Sequence, residues 1–157
     1  MRNGSYPPER EEATLRIEEA HPGGRTLDTE ALRALLTRAA AGEDVTLRWL
    51  TVVLAGRERV LRLNREHLGH DYPTDVLAFP FAEKGSVVAG EVYVDLDTAA
   101  ERHEEFGATP EQEARRYALH GLLHLAGYRD KTDAGRRRMR ALEDRYLSAA
   151  ASPDDDA

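Results

Sequence analysis

Apolar and polar positions along this chain recur with two periods, and the change from one to the other divides it into elements. Ala13 to Ala20 alternates like a strand, with Leu15 and Ile17 inward, and His21-Pro22-Gly23-Gly24 reads as a turn. Asp28 or Thr29 caps a helix predicted to reach about Ala41, with Leu32, Leu35 and Leu36 as its buried stripe and Gly42 as its stop. Val45 to Leu54 is β-branched and becomes continuously apolar, the pattern of a central strand. Arg57 to Leu68 is a short helix. Val60, Leu61, Leu63, Asn64, His67 and Leu68 cover one side of it, and Arg59, Arg62 and Arg65 line the other, with Arg57 near the edge. Gly69 to Thr74 is a loop. Asp75 to Phe81 and Val87 to Leu96 are two strands around Glu83-Lys84-Gly85-Ser86, read as a hairpin or close pair.

The second half is mostly helical. Asp97 caps a helix to about Phe106, closed by Gly107. Thr109-Pro110-Glu111-Gln112 combines an N-cap, a proline at the first helical position and a capping-box glutamine. The helix it starts is predicted to reach Ala126. Leu119, Leu122, Leu123, Leu125 and Ala126 make its second half apolar nearly all round, so it is expected at the centre of the fold. Thr132 or Asp133 caps a last helix to about Ala150, with Met139, Leu142 and Tyr146 inward. The expectation is an α+β fold, a small mixed four-stranded sheet packed with about five helices. Residues 1–150 read as one domain with a loose start over 1–11, and residues 151–157 as a disordered acidic tail.

Composition narrows the chemistry. The 157 residues include no cysteine, which excludes disulfides and thiolate metal sites and leaves any ion to His, Asp or Glu. No apolar run approaches the roughly 20 residues of a membrane span. The start, Met1 to Pro8, lacks the apolar middle of a signal peptide, so a cytoplasmic protein is expected. The net charge of −7 argues against a general polyanion binder. Positive charge is nearly all arginine, the better bidentate partner for phosphate, and Lys84 and Lys131 are the only lysines.

The chemistry concentrates in His120-Gly121-Leu122-Leu123-His124-Leu125-Ala126-Gly127-Tyr128-Arg129-Asp130. Two histidines four apart share one helix face, and Gly127 suits the helix end where the chain can turn Asp130 back toward them. Two satisfied core histidines would be the bland reading. The fixed offsets of glycine and acid favour a zinc site on His120, His124 and Asp130, with an open fourth position. The spacing matches the metal frame of the long zincin motif, so the buried helix is zincin-like. In those proteases a glutamate general base follows the first histidine. Here Gly121 stands there and cannot move a proton, and glycine is read as leaving space beside the metal.

The segment His120-Gly121-x-Leu123-His124-Leu125-x-Gly127-Tyr128 resembles the signature of the YbeY family of metal-dependent endoribonucleases. Leu63-Asn64 with Asp71 to Pro80, and Gly90-Glu91-Val92-Tyr93-Val94, extend the resemblance over residues 63–130. It implies a zinc-dependent, single-strand-specific endoribonuclease acting in ribosomal RNA maturation, at the 16S 3′ end, and in ribosome quality control. The implied partners are ribosomal RNA and the ribosome or small-subunit proteins, with one Zn2+ per chain. Two departures stand out. The family usually has a third histidine where this chain has Asp130, and commonly an arginine where it has Leu68. Aspartate removes one unit of positive charge from the site, and the arginine's role is either lost or moved to Arg65, His70 or another residue.

The catalytic base stays open beyond a metal-bound water. Asp75 and His70 are candidates, against turn-cap and surface-histidine readings. Glu113 and Arg116 read as a helix-surface ion pair, and His21 and His103 carry no pattern. Arg57, Arg59, Arg62 and Arg65 are candidate RNA contacts if their helix borders the metal cleft. Arg136, Arg137, Arg138 and Arg140 form a second basic patch, read first as a solvated face. Two other functions compete with the nuclease. One is a ribosome-assembly RNA-binding factor with a mainly structural metal. The other is a metallopeptidase, disfavoured by Gly121.

Overall fold

The computed structural model describes residues 14–68, 74–81 and 86–156. Four strands, β1 (Leu15–Glu19), β2 (Thr46–Ala55), β3 (Val76–Pro80) and β4 (Val87–Asp95), form one sheet in the order β1-β2-β4-β3. β2 pairs in parallel with both β1 and β4, while β3 runs antiparallel to β4 along the edge. The expected mixed sheet and the close pairing of the last two strands are therefore present. The expected turn residues Glu83 to Gly85, His70 and the rest of loop 69–73, and the N-terminal stretch 1–11 lie outside the described residues.

The five α-helices are α1 (Thr29–Gly42), α2 (Arg57–Leu68), α3 (Leu96–Arg102), α4 (Pro110–Leu125) and α5 (Asp133–Asp156). α5 continues past the Ala150 expected as its end. Alternation along the strands sorts the helices onto two faces. Leu50, Val52, Leu54, Val92 and Val94 join α1, α4 and α5 in the main core. Val53, Ala55 and Leu77 join Val60 and Leu63 of α2 in a smaller core on the other face.

Some caps form as the sequence reading expects and others do not. Asp28 caps α1 through a bond from Ala31 N, and Thr132 Oγ1 caps α5 by accepting from Gly135 N. α3 is capped by Asp95, not Asp97, with Asp95 Oδ1 accepting from Thr98 N at 3.0 Å. Asp97 instead accepts from Arg57 N, the first residue of α2, and from His21 and Arg25. One carboxylate thus satisfies a helix start remote in sequence, which local spacing cannot reveal. The helix after Asp95 also changes to a 3-10 turn over His103–Phe106. At the end of α1 the left-handed residue is Asp44 (φ 57°), not Gly42. Gly42 is needed for room, because a Cβ there would stand 2.2 Å from Tyr146 Oη.

α4 sits at the centre. Its capping box forms as expected, with Gln112 N donating to Thr109 Oγ1 and Thr109 N to Gln112 Oε1. The helix crosses β3 and β4 and also touches α1, α3 and α5. Gly121 makes the close approach possible. A Cβ there would meet Val92 Cγ1 at 2.6 Å and Val76 Cγ2 at 3.3 Å. Gly121 therefore points into the sheet, and the space it leaves is filled by β4 rather than lying beside a metal. Replacing Gly121 with alanine is expected to destabilise the fold by about 1–3 kcal/mol through overpacking. Urea unfolding measures this, and an unchanged midpoint would disprove the close packing of α4 on β4.

Candidate metal centre

Leucines on the remaining sides of α4 enter the core and leave one polar stripe, His120 and His124, half-buried beneath the loop that follows. That loop is set by a Schellman turn. Gly127 N donates to His124 O and Tyr128 N to Leu123 O, with Gly127 at φ 104°. Beyond it, Tyr128 Oη donates to Glu43 Oε1 at 2.5 Å, and Tyr146 Oη donates to the other oxygen of the same carboxylate. Burial and this bond push Tyr146 up to about 12. The chain from Gly127 to Asp130 is thereby tied to the end of α1 and, through Glu43, to the middle of α5.

The turn brings Asp130 back to the histidines, as the spacing predicts. His120 Nε2 lies 3.0 Å from His124 Nε2, and Asp130 Oδ2 lies 3.2 Å and 3.5 Å from those two nitrogens. Among the described residues these three side chains form the His/Asp/Glu group able to hold a metal ion. The triangle has the right size. Tetrahedral zinc with bonds of roughly 2.0–2.1 Å separates its ligand atoms by about 3.3 Å. A mixed imidazole and carboxylate set without sulfur suits zinc.

A residue that the sequence reading missed completes the arrangement. Glu143 on α5 is only 3 % exposed, and its Oε2 accepts from His120 Nδ1 at 2.6 Å. This bond assigns the proton to Nδ1 and turns the Nε2 lone pair toward the metal position. Glu143 Oε1 accepts from Arg116 Nη1 at 2.8 Å, while Arg116 Nη2 reaches Asp144 at 2.7 Å. Arg116 thus pairs with α5 rather than with Glu113, which is itself buried. The available signal was an acid inside the Met139, Leu142 and Tyr146 stripe, since only a partnered carboxylate is stable there.

Electrostatics separate the two imidazoles. Burial disfavours the charged form of His120, but Glu143, Asp130 and Asp75 outweigh it and raise the pKa above its ordinary value. His124 is lowered by burial and by the charge of His120. Asp75 sits at the start of β3, where its carbonyl accepts from Asp95 N at 3.0 Å. Burial raises its carboxyl pKa, with the His120 charge opposing. Glu143, not Asp75, is the carboxylate bonded to a metal-site histidine.

The structure does not bring the α2 arginines to this centre. Val92 faces Gly121 and α4, whereas Tyr93, the next residue of β4, lies on the opposite sheet face under Arg59, whose guanidinium is 5.3 Å from the ring centre. Arg57 pairs with Glu101 at 2.5 Å, and Arg57, Arg59 and Arg62 border a cleft of about 580 Å³ beside Gly56 and Asp97. Arg65, on the same helix, also makes an interaction.

The family model described as endoribonuclease YbeY matches residues 18–151. The chain belongs to the YbeY family. It is 48% identical over 151 residues to the endoribonuclease YbeY of Salinibacter ruber, covering 91% of this chain and 95% of the relative. It is 38% identical over 128 residues to that of Chlorobium phaeobacteroides strain BS1, covering 82% and 92%. The solution structure of TM1509 from Thermotoga maritima superposes with a TM-score of 0.62 at 28% identity, over 89% of this chain and 92% of that one. The YbeY assignment and the position of Gly121 against β4 both count against the peptidase reading. Among the described residues no helix is long and apolar enough to cross a membrane.

Substituting Glu143 with glutamine is expected to weaken zinc binding about 10- to 100-fold, the usual cost of removing the partner of a metal-bound histidine. Competition with a chromophoric chelator, at a pH high enough to remove proton competition, measures it. Unchanged affinity would exclude the supporting role of Glu143. The raised pKa of His120 also sets a pH dependence. Zinc needs the neutral ring, so binding is full above that raised value and falls as the pH drops through it. His124, with its lowered pKa, adds proton competition only further down. A zinc titration that shows no weakening toward acid pH would contradict this.

Proposed function

We propose that this chain is a zinc-dependent endoribonuclease that hydrolyses single-stranded RNA at a centre formed by His120, His124 and Asp130. The observation that carries the reading is the donor triangle, sized for a tetrahedral ion, in a chain of the YbeY family. The proposed setting is maturation of the 16S ribosomal RNA 3′ end and ribosome quality control in the cytoplasm, with ribosomal RNA and the ribosome or small-subunit proteins as partners. Zinc at this centre would acidify a water and stabilise charge on the attacked phosphate.

The chain's own groups have distinct tasks. Glu143 and Arg116 hold the His120 ring in one orientation and tautomer. Asp130 supplies a carboxylate where an imidazole would leave the centre more positive. Asp75, whose carboxyl pKa is raised by burial, is one candidate to take or return a proton. His70 is a second candidate for that task. Arg57, Arg59, Arg62 and Arg65 would meet RNA only on the far face of the sheet. Gly121, packed on Val92, has no part in proton transfer.

Metal analysis of the purified protein is expected to find about one zinc per chain and almost none in His124→Ala, as loss of one of three protein ligands implies. Equal zinc in both would overturn the ligand assignment. A ribosomal RNA 3′-end fragment is expected to be cut by the zinc-loaded protein and left whole after chelation. Binding without metal-dependent cutting would identify an assembly factor with a structural metal. Cleavage of casein with the RNA left intact would identify a peptidase.

A further inference from the structure

We infer that Arg136, Arg137 and Arg140 of α5 form a phosphate-binding wall beside the metal centre, holding the backbone of the RNA strand on one side of the bond to be cut. The inference rests on the endoribonuclease reading and adds the path of the substrate. A cleft of about 410 Å³ opens at His120 and Asp130, with Met139 and Glu143 at its base. The same three arginines complete its lining. All three are exposed. Arg136 and Arg140 are separated by a rise of about 6 Å along the helix, enough for two guanidinium groups to meet successive phosphates.

Charge bookkeeping favours this wall over other basic surfaces. With a net charge of −7, any affinity for a polyanion must be local. The carboxylate at the base of the cleft does not cancel the arginines, because both Glu143 oxygens are occupied by His120 and Arg116. Arg136 pairs with Asp133 and donates to the Asp130 carbonyl oxygen at 3.4 Å, which ties the wall to the ligand loop. Arg137 makes no hydrogen bond or ion pair with a described residue. Arginine suits phosphate through its paired donors. Arg138, between them in sequence, borders a different cleft with Glu43 and Tyr128. The α2 arginines stand on the other sheet face, with Arg57 engaged by Glu101 and Arg59 by Tyr93.

The test is a fluorescence-anisotropy titration of the zinc-loaded full chain with a single-stranded oligoribonucleotide at several salt concentrations. Arg137→Gln with Arg140→Gln is expected to weaken binding about three- to fivefold per arginine, the scale of an exposed ion pair. The slope of log affinity against log salt should shrink by about 0.7 per arginine. Zinc content should stay at the wild-type level, which reports an intact fold, and Arg138→Gln should bind like wild type. Wild-type binding and cutting with an undiminished salt slope in the double variant would overturn the wall and leave the nuclease reading in place. Loss of slope in Arg59→Gln with Arg62→Gln, and not in the α5 variant, would move the strand to the far face and also overturn it. A wild-type protein with no affinity for single-stranded RNA would overturn both readings together.

Discussion

The hydrogen bond between His120 Nδ1 and Glu143 is the contact on which the centre depends, because it joins the helix that carries the ligands to the helix that closes over them. A carboxylate this deeply buried is stable only when its charge is partnered. Arg116 and His120 provide the partners, and both lie on α4 one turn apart. α5 is thereby held in register against α4 as well as by the apolar contacts of Met139 and Tyr146. The same bond leaves the Nε2 lone pair of His120 facing His124 and Asp130. One interaction therefore supports the packing and orients a ligand.

Close packing of α4 on the sheet is the second constraint. Gly121 and Gly90 both stand where a Cβ would collide, the first with Val92 and the second with the Phe79 carbonyl oxygen and with Leu125. Neither glycine is needed for a left-handed backbone. Their absence of side chain lets the helix lie deep enough for the loop beyond Gly127 to reach back over the histidines. This gives Gly121 a meaning different from the missing base of a peptidase. A glutamate in that position would be driven into the apolar interface between α4 and β4, far from useful proton chemistry.

Asp130 and the arginines of α5 describe how charge is distributed around the site. The aspartate would lower the positive charge at an ion held by the histidines, while Arg136, Arg137 and Arg140 border the adjoining cleft. An acidic protein can thus carry a locally basic surface beside this group of side chains. α2 has a similar arginine density, but the alternation of Val92 and Tyr93 sends its partners to the other side of the sheet.

Elements whose determinants are local were legible in the chain itself: the buried stripe of α1, the central β2, the capping box of α4, and the i, i+4 histidines followed by a glycine turn and an acid. Periodicity and backbone sterics act over a few residues, so these patterns carry their own answer. The family resemblance was legible for the same reason, since its signature is a contiguous run. What depended on which elements meet was not. The bond from Glu143 to His120 spans 23 residues, Asp97 caps a helix 40 residues before it, and Gly121 finds Val92 only once α4 lies on the sheet. Which arginines border the metal centre was likewise decided by tertiary structure alone. A helical wheel shows that a face is basic, but only the packing of α5 against α4, and of α2 on the reverse of the sheet, determines what that face looks onto.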